Sequence, residues 1–132
     1  MARLTYSEDP HDIWIVAETK DGALTPLTKE LVYGARTSAD MMGFYVKVAL
    51  LGSGVSDLAN ELYPVGADRV YVADDKRLAE FAVEPWLKVL SDLFAAQAPE
   101  FVMFGATPIG EALAPRLAQR FGAGLIVNAL ML

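Results

Sequence analysis

The sequence contains no cysteine and a single histidine, His11. Without cysteine the chain can form no disulfide, no thiolate metal site and no cysteine nucleophile. His11 stands in a polar segment beside Asp9 and Asp12, and we interpret it as a surface residue. Because no nucleophile, base and orienting group can be assembled around it, the sequence predicts no catalytic residues and no metal site.

Basic residues are also few: 11 lysines and arginines stand against 17 acidic residues, for a net charge of −6. Nucleic acids and anionic membranes bind clustered basic residues, so the charge argues against both partners. No apolar run approaches the ~20 residues that span a membrane. The first residues do not have the long apolar segment of a signal peptide. We therefore expect a cytoplasmic protein with no membrane insertion.

Apolar residues make up 54% of the 132 residues and charged ones 21%, which is typical of one folded domain. Short apolar segments alternate with amphipathic ones, a pattern that predicts an α/β fold with a parallel sheet covered on both faces. The predicted fold is thus a three-layer arrangement with right-handed crossovers. The predicted strands cover residues 12–17, 44–51, 69–73 and 101–104, with a last one from Leu125.

The first two helices have clear boundary signals. Thr25 is predicted to cap the first helix, with Pro26 at its first position and Gly43 at its end. Met42 is predicted to belong to the apolar face of that helix. Ser56 is predicted to cap a second, short helix.

The other two helices carry prolines within their patterns. The third is predicted to follow Asp74 and Asp75, with an apolar stripe from 78 to 94 and a kink at Pro85. The fourth is predicted over residues 108–121, again with a kink, at Pro115.

Two acidic or glycine-rich turns follow predicted strands. Gly52-Ser53-Gly54 resembles half of a dinucleotide fingerprint, but Asp57 stands where the third glycine belongs, and a tight turn also explains these glycines. Asp74 and Asp75 could hold a metal or a ribose hydroxyl. No histidine or third acid lies nearby in the sequence, so helix capping is the favoured interpretation of this pair.

The turn over residues 105–110 is the best candidate for an anion site, because backbone N–H groups at a helix start attract phosphate. Thr107 as a cap followed by proline explains the same residues without a ligand, and Glu111 would repel phosphate. No lysine follows the glycines, so the turn is not a P-loop. The candidate cofactor-binding residues, each with a structural alternative, are Gly52, Ser53, Asp74, Gly105 and Thr107.

One family has stretches that match this sequence in the same order, at residues 13–18, 48–55, 66–75, 104–107 with Gly110, and 113–118. On these stretches the sequence resembles the N-terminal domain of the electron-transfer flavoprotein alpha subunit, over residues 12–128. Glu111 is a departure, because the family commonly has arginine at this position.

This resemblance implies a Rossmann-like sheet of the adenine-nucleotide-hydrolase type and a heterodimer with an electron-transfer flavoprotein beta subunit. The heterodimer carries FAD and takes electrons from dehydrogenases, such as the acyl-CoA dehydrogenases of fatty acid beta-oxidation, for a quinone reductase or another acceptor. In the family the FAD is bound mainly by a separate C-terminal domain, and AMP or a second flavin by the beta subunit. We therefore expect this chain to be a scaffold and dimerisation domain that binds no cofactor alone.

Residues 1–132 are predicted to be one N-terminal domain, truncated before a C-terminal flavin domain, because the apolar end from Leu125 has no closing turn. One alternative is a stand-alone nucleotide-binding module of the universal-stress-protein-like superfamily. Another is an enzyme acting on a nucleotide, for which the sequence offers no acid–base or metal set.

Overall fold

The computed structural model describes residues 11–121 and 126–127, and its main feature is a five-stranded parallel sheet. The chain order of the strands is β1 Asp12–Val16, β2 Thr19–Lys20, β3 Ala23–Leu24, β4 Tyr45–Gly52, β5 Arg69–Asp74, β6 Phe101–Met103 and β7 Ile126–Val127. Five of them form the sheet in the order β5-β4-β1-β6-β7, all parallel. The other two, β2 and β3, form an antiparallel hairpin. The predicted parallel α/β fold is confirmed.

Helices cover both faces of the sheet: α1 Pro26–Met42, α2 Ala59–Leu62, α3 Val83–Gln97 and α4 Pro108–Phe121. All of β1 is buried, and its side chains alternate between the two faces. Ile13 and Ile15 share one core cluster with buried residues of α1 and α2, whereas Trp14 and Val16 share the other with α3 and α4. None of the helices in the described ranges is long and apolar enough to cross a membrane.

The boundaries of α1 follow the predicted capping signals. The hydroxyl of Thr25 accepts a hydrogen bond from the N–H of Thr28 at 3.1 Å, and a proline follows the cap. Gly43 has a φ of 74° and its N–H donates to the carbonyl of Ala39, which ends the helix. Met42 is 50% exposed, so its predicted place on the buried face is wrong.

The third and second helices differ from the prediction at their starts. The helix α3 begins at Val83, and a short 3₁₀ turn, Lys76–Leu78, follows the aspartate pair instead. Pro85 therefore lies in the first turn of α3, where its missing N–H removes no intrahelical hydrogen bond.

Ser56 does not cap its helix: it begins a 3₁₀ turn, Ser56–Leu58, and its hydroxyl donates to Asp74.

Polar contacts connect the strand starts at the amino edge of the sheet. One carboxylate oxygen of Asp12 accepts from the N–H of Glu100 at 2.9 Å, and the other lies 3.2 Å from the Nζ of Lys47. The Nδ1 of His11 lies 2.7 Å from the Oε1 of Glu100. These contacts tie β1, β4 and the start of β6 together, so His11 has a structural role at this edge.

Candidate functional site

The carboxyl edge of the sheet contains a topological switch point beside β1. The chain leaves β1 for β4 on one side, and β6 pairs with β1 on the other side. In open parallel sheets, ligands bind in the crevice that this reversal creates. Glu18 follows β1 and the turn at 105–107 follows β6, and the two meet at this point through a hydrogen bond between Thr107 and Glu18.

Glu18 brings a carboxyl group to the switch point. It is 8% exposed, and its Oε2 accepts a hydrogen bond from the hydroxyl of Thr107 at 2.6 Å. The same hydroxyl oxygen accepts from the N–H of Gly110 at 3.1 Å, so Glu18 lies beside the start of α4. Burial raises the pKa of Glu18, and the hydrogen bond from Thr107 lowers the pKa by a smaller amount. Sequence reasoning missed Glu18, although a carboxylate directly after a buried strand was a usable signal.

The glycines of the turn after β6 are needed for close packing. A Cβ on Gly110 would lie 2.1 Å from the carbonyl oxygen of Gly105, and a Cβ on Gly105 would lie 2.8 Å from a methyl group of Leu27. The glycines therefore let α4 and α1 approach the end of β6, and this packing accounts for them without a ligand.

The turn after β4 forms a concave set of N–H groups around Asp74. The N–H groups of Gly54, Val55 and Ser56 donate to its carboxylate at 2.7, 2.9 and 3.0 Å, and the Ser56 hydroxyl donates at 2.7 Å. The hydroxyl of Ser56, followed by the backbone donors, lowers the pKa of Asp74. Successive N–H groups of this kind bind phosphate in other proteins. Here Asp74, which pairs in register with Gly52, occupies that position itself.

Asp75 has the capping role that the sequence allowed for either aspartate. Its carboxylate accepts from the N–H of Arg77 at 2.8 Å and from the Arg77 guanidinium at 3.0 Å. The Arg77 guanidinium lowers the pKa of Asp75 to about 2. Residues 11–121 contain no group of three metal-binding side chains that could hold an ion.

A cavity of about 310 Å³ lies at the same edge of the sheet. Its wall includes the hairpin turn at Asp21, the turn with Gly52 and Ser53, and Ile109 in the first turn of α4. Gly105 and Thr107 do not line it. The structure thus places the five candidate residues in two groups along one edge. Of these, Gly52 and Ser53 reach the cavity.

Comparison with known protein families gives one family match: the family described as "Electron transfer flavoprotein domain" matches residues 13–132. The electron transfer flavoprotein subunit alpha of Thermoanaerobacterium thermosaccharolyticum is 41% identical over 91% of this chain and 36% of its own length.

Two further relatives have different names. The lactate dehydrogenase (NAD(+),ferredoxin) subunit LctC of Acetobacterium woodii is 35% identical over 91% of this chain and 29% of its own length. The acryloyl-CoA reductase electron transfer subunit beta of Anaerotignum propionicum is 38% identical over 89% of this chain and 32% of its own length. The chain spans about a third of the length of the curated relatives it matches.

Proposed function

The chain belongs to the electron-transfer flavoprotein family, and from that premise we propose that it is the scaffold and dimerisation domain of an alpha subunit. In this proposal the chain pairs with a beta subunit, and the FAD of the heterodimer is held mainly by a further domain of the alpha subunit. The observation that carries the proposal is that a carboxylate of the chain lies at each anion-binding candidate of the carboxyl edge: Asp74 accepts the N–H groups of the turn after β4, and Glu18 lies beside the start of α4.

These two carboxylates argue against a phosphate-bearing cofactor. The N–H groups of the turn after β4 already donate to Asp74. At the start of α4 a phosphate would meet the carboxyl of Glu18, and Glu111 lies in the same first turn. Negative groups so close repel one another, and the N–H groups of Gly54, Val55 and Ser56 are already engaged by Asp74.

We propose that the parent heterodimer accepts electrons from a dehydrogenase, with an acyl-CoA dehydrogenase as the first candidate. The relatives named for lactate and acryloyl-CoA systems support the general role and widen the choice of donor. The test is anaerobic reduction of the heterodimer's FAD, followed by absorbance, with an acyl-CoA dehydrogenase or a lactate dehydrogenase and its substrate. Bleaching by one of them identifies the donor class. No bleaching with either, while dithionite reduces the flavin, contradicts the proposed electron donors.

The scaffold role is tested by titrating the chain with FAD, AMP and ATP in a calorimeter. We expect no binding tighter than about 1 mM, equivalent to about −4 kcal/mol. Micromolar binding of AMP or ATP would overturn the scaffold proposal in favour of a stand-alone nucleotide-binding module. The cavity at the carboxyl edge is the observation that favours this second function.

A further inference from the structure

The α3–α4 groove, an open cavity of about 430 Å³, is lined by more basic than acidic side chains. Its described lining comes from the first half of α3 and the second half of α4. The lining residues are Val83, Glu84, Leu87, Lys88, Arg116 and Arg120. Three of these are basic and one is acidic, in a chain whose net charge is −6. The groove is therefore a local exception to the negative charge of the protein.

The two arginines of the groove lie one helical turn apart on α4, and both are exposed. Arg116 donates to the carbonyl oxygen of Ala112 in its own helix at 2.7 Å. Arg120 donates to the hydroxyl of Ser91 in a long hydrogen bond of 3.4 Å. Between the residues that the structure describes, neither guanidinium forms an ion pair with a carboxylate. Each guanidinium has five N–H donors, so most of them remain for solvent or a partner.

The side chains on α3 give the groove a third cation and an apolar floor. Lys88 pairs with Asp92 at 2.8 Å, but both side chains are exposed, so this ion pair contributes little and is easily exchanged. Glu84 is the sole acid among the described lining residues. Leu87 is 8% exposed and lies in the core beneath. Cations over an apolar floor suit the carboxylates and methylene groups of glutamate and aspartate side chains.

We propose that the α3–α4 groove is where the beta subunit contacts this chain, through a segment that carries carboxylates. This inference rests on the proposed function, because it assigns a surface to the heterodimer. Arginine binds carboxylates through two parallel N–H groups and is enriched in protein interfaces. A net charge of −6 makes two copies of the chain repel each other, which argues against a second copy in the groove.

Calorimetric titration of the chain with the electron-transfer flavoprotein beta subunit of the same organism tests this assignment. Arg116→Glu should weaken the complex about tenfold or more, because it replaces an attraction by a repulsion. The matched control is Arg69→Glu, the same charge change at an exposed arginine of β5 outside the groove, and it should bind as the parent does. Added salt should weaken the parent complex more than the Arg116→Glu complex.

A substitution of opposite sign distinguishes the charge from a loss of structure. Glu84→Gln removes the one negative charge from the described lining, so it should strengthen the complex by roughly two- to fivefold. Should Arg116→Glu fail to fold, Arg116→Gln takes its place, because it removes the charge and keeps a good helix former. Arg116→Gln should weaken the complex about threefold.

The outcomes separate this inference from the proposed function. A parent chain that forms no complex with the beta subunit contradicts the proposed function and this inference with it. A parent complex that Arg116→Glu and Arg69→Glu affect equally, or not at all, overturns the groove assignment alone. A chain that self-associates, and does so less in Arg116→Glu, assigns the groove to a second copy and also overturns the proposal.

Discussion

Two residues, Asp74 and Glu18, determine the electrostatics of the carboxyl edge, and their pKa values shift in opposite directions. The Ser56 hydroxyl and three backbone N–H groups lower the pKa of Asp74, which keeps its charge in the folded protein. Burial raises the pKa of Glu18, so its protonated form is favoured by folding. The first carboxylate organises a turn, while the second fills the switch point.

Removing the Asp74 carboxylate should create an anion site. In Asp74→Ala the N–H groups of Gly54, Val55 and Ser56 lose their acceptor, so the melting temperature should fall by several degrees. Inorganic phosphate should restore part of that loss in the variant and have little effect on the parent chain. Thermal unfolding with and without phosphate measures both effects.

The matched control for this prediction is Asp57→Ala. Asp57 is exposed in the same turn, and its carboxylate takes part in no hydrogen bond between the residues the structure describes. It should respond to phosphate as the parent does. An equal phosphate effect in all three proteins would contradict the account.

Glu18 should make folding stability depend on pH. Because its folded-state pKa lies above the ordinary value of 4.5, the folded chain binds this proton more tightly than the unfolded chain. The contribution of Glu18 to the free energy of unfolding is therefore greatest below pH 4.5, and it is lost as the pH rises through the raised pKa of the folded state. Glu18→Gln keeps an acceptor for Thr107 without the charge. Relative to the parent, the variant should gain stability between pH 4 and pH 7, because only the parent loses this contribution. Urea unfolding at the two pH values measures this. A stability difference between parent and variant that is the same at pH 4 and pH 7 would contradict this assignment.

Among the elements, the junction of β6 and α4 carries the tightest packing constraint. The start of α4 passes so close to the end of β6 that a Cβ on Gly110 would overlap the carbonyl oxygen of Gly105. The sequence identified this turn as a candidate site, but its glycines are explained by the approach of two backbones.

Gly110→Ala and Gly34→Ala form a pair that isolates this constraint, because both glycines lie in helices. Gly110→Ala should cost about 3 kcal/mol or more, since the obstructing atom is backbone and has little room to move. A Cβ on Gly34, in α1, would meet nothing within 4 Å, so that variant should gain up to about 1 kcal/mol. Urea unfolding of the two variants gives both numbers. A Gly110→Ala chain as stable as the parent would be inconsistent with the packing described.

The elements were predictable where local chemistry determines them. Capping by Thr25 and the left-handed Gly43 placed both ends of α1 correctly. The start of α3 was not predictable, because buried Leu78 and half-buried Phe81 continue the apolar pattern through a 3₁₀ turn. The β2–β3 hairpin has strands of two residues, too short for any alternating pattern.

For the whole molecule, the fold class and the family followed from the sequence, and the chemistry of the carboxyl edge did not. The resemblance of residues 12–128 to the electron-transfer flavoprotein alpha subunit is confirmed by the match over residues 13–132. The contacts that fill the edge join distant residues: Thr107 is 89 positions from Glu18, and Asp74 is 20 positions from Gly54. Such pairs depend on strand order, which apolar periodicity does not contain.

The central claim is that this domain serves assembly, and sedimentation velocity of the chain mixed with the electron-transfer flavoprotein beta subunit of the same organism tests it most directly. We predict a stable one-to-one complex, and we expect it to form when no nucleotide is added for this chain to bind. A chain that sediments unchanged beside the beta subunit, while binding AMP or ATP at micromolar concentration by itself, would contradict the account.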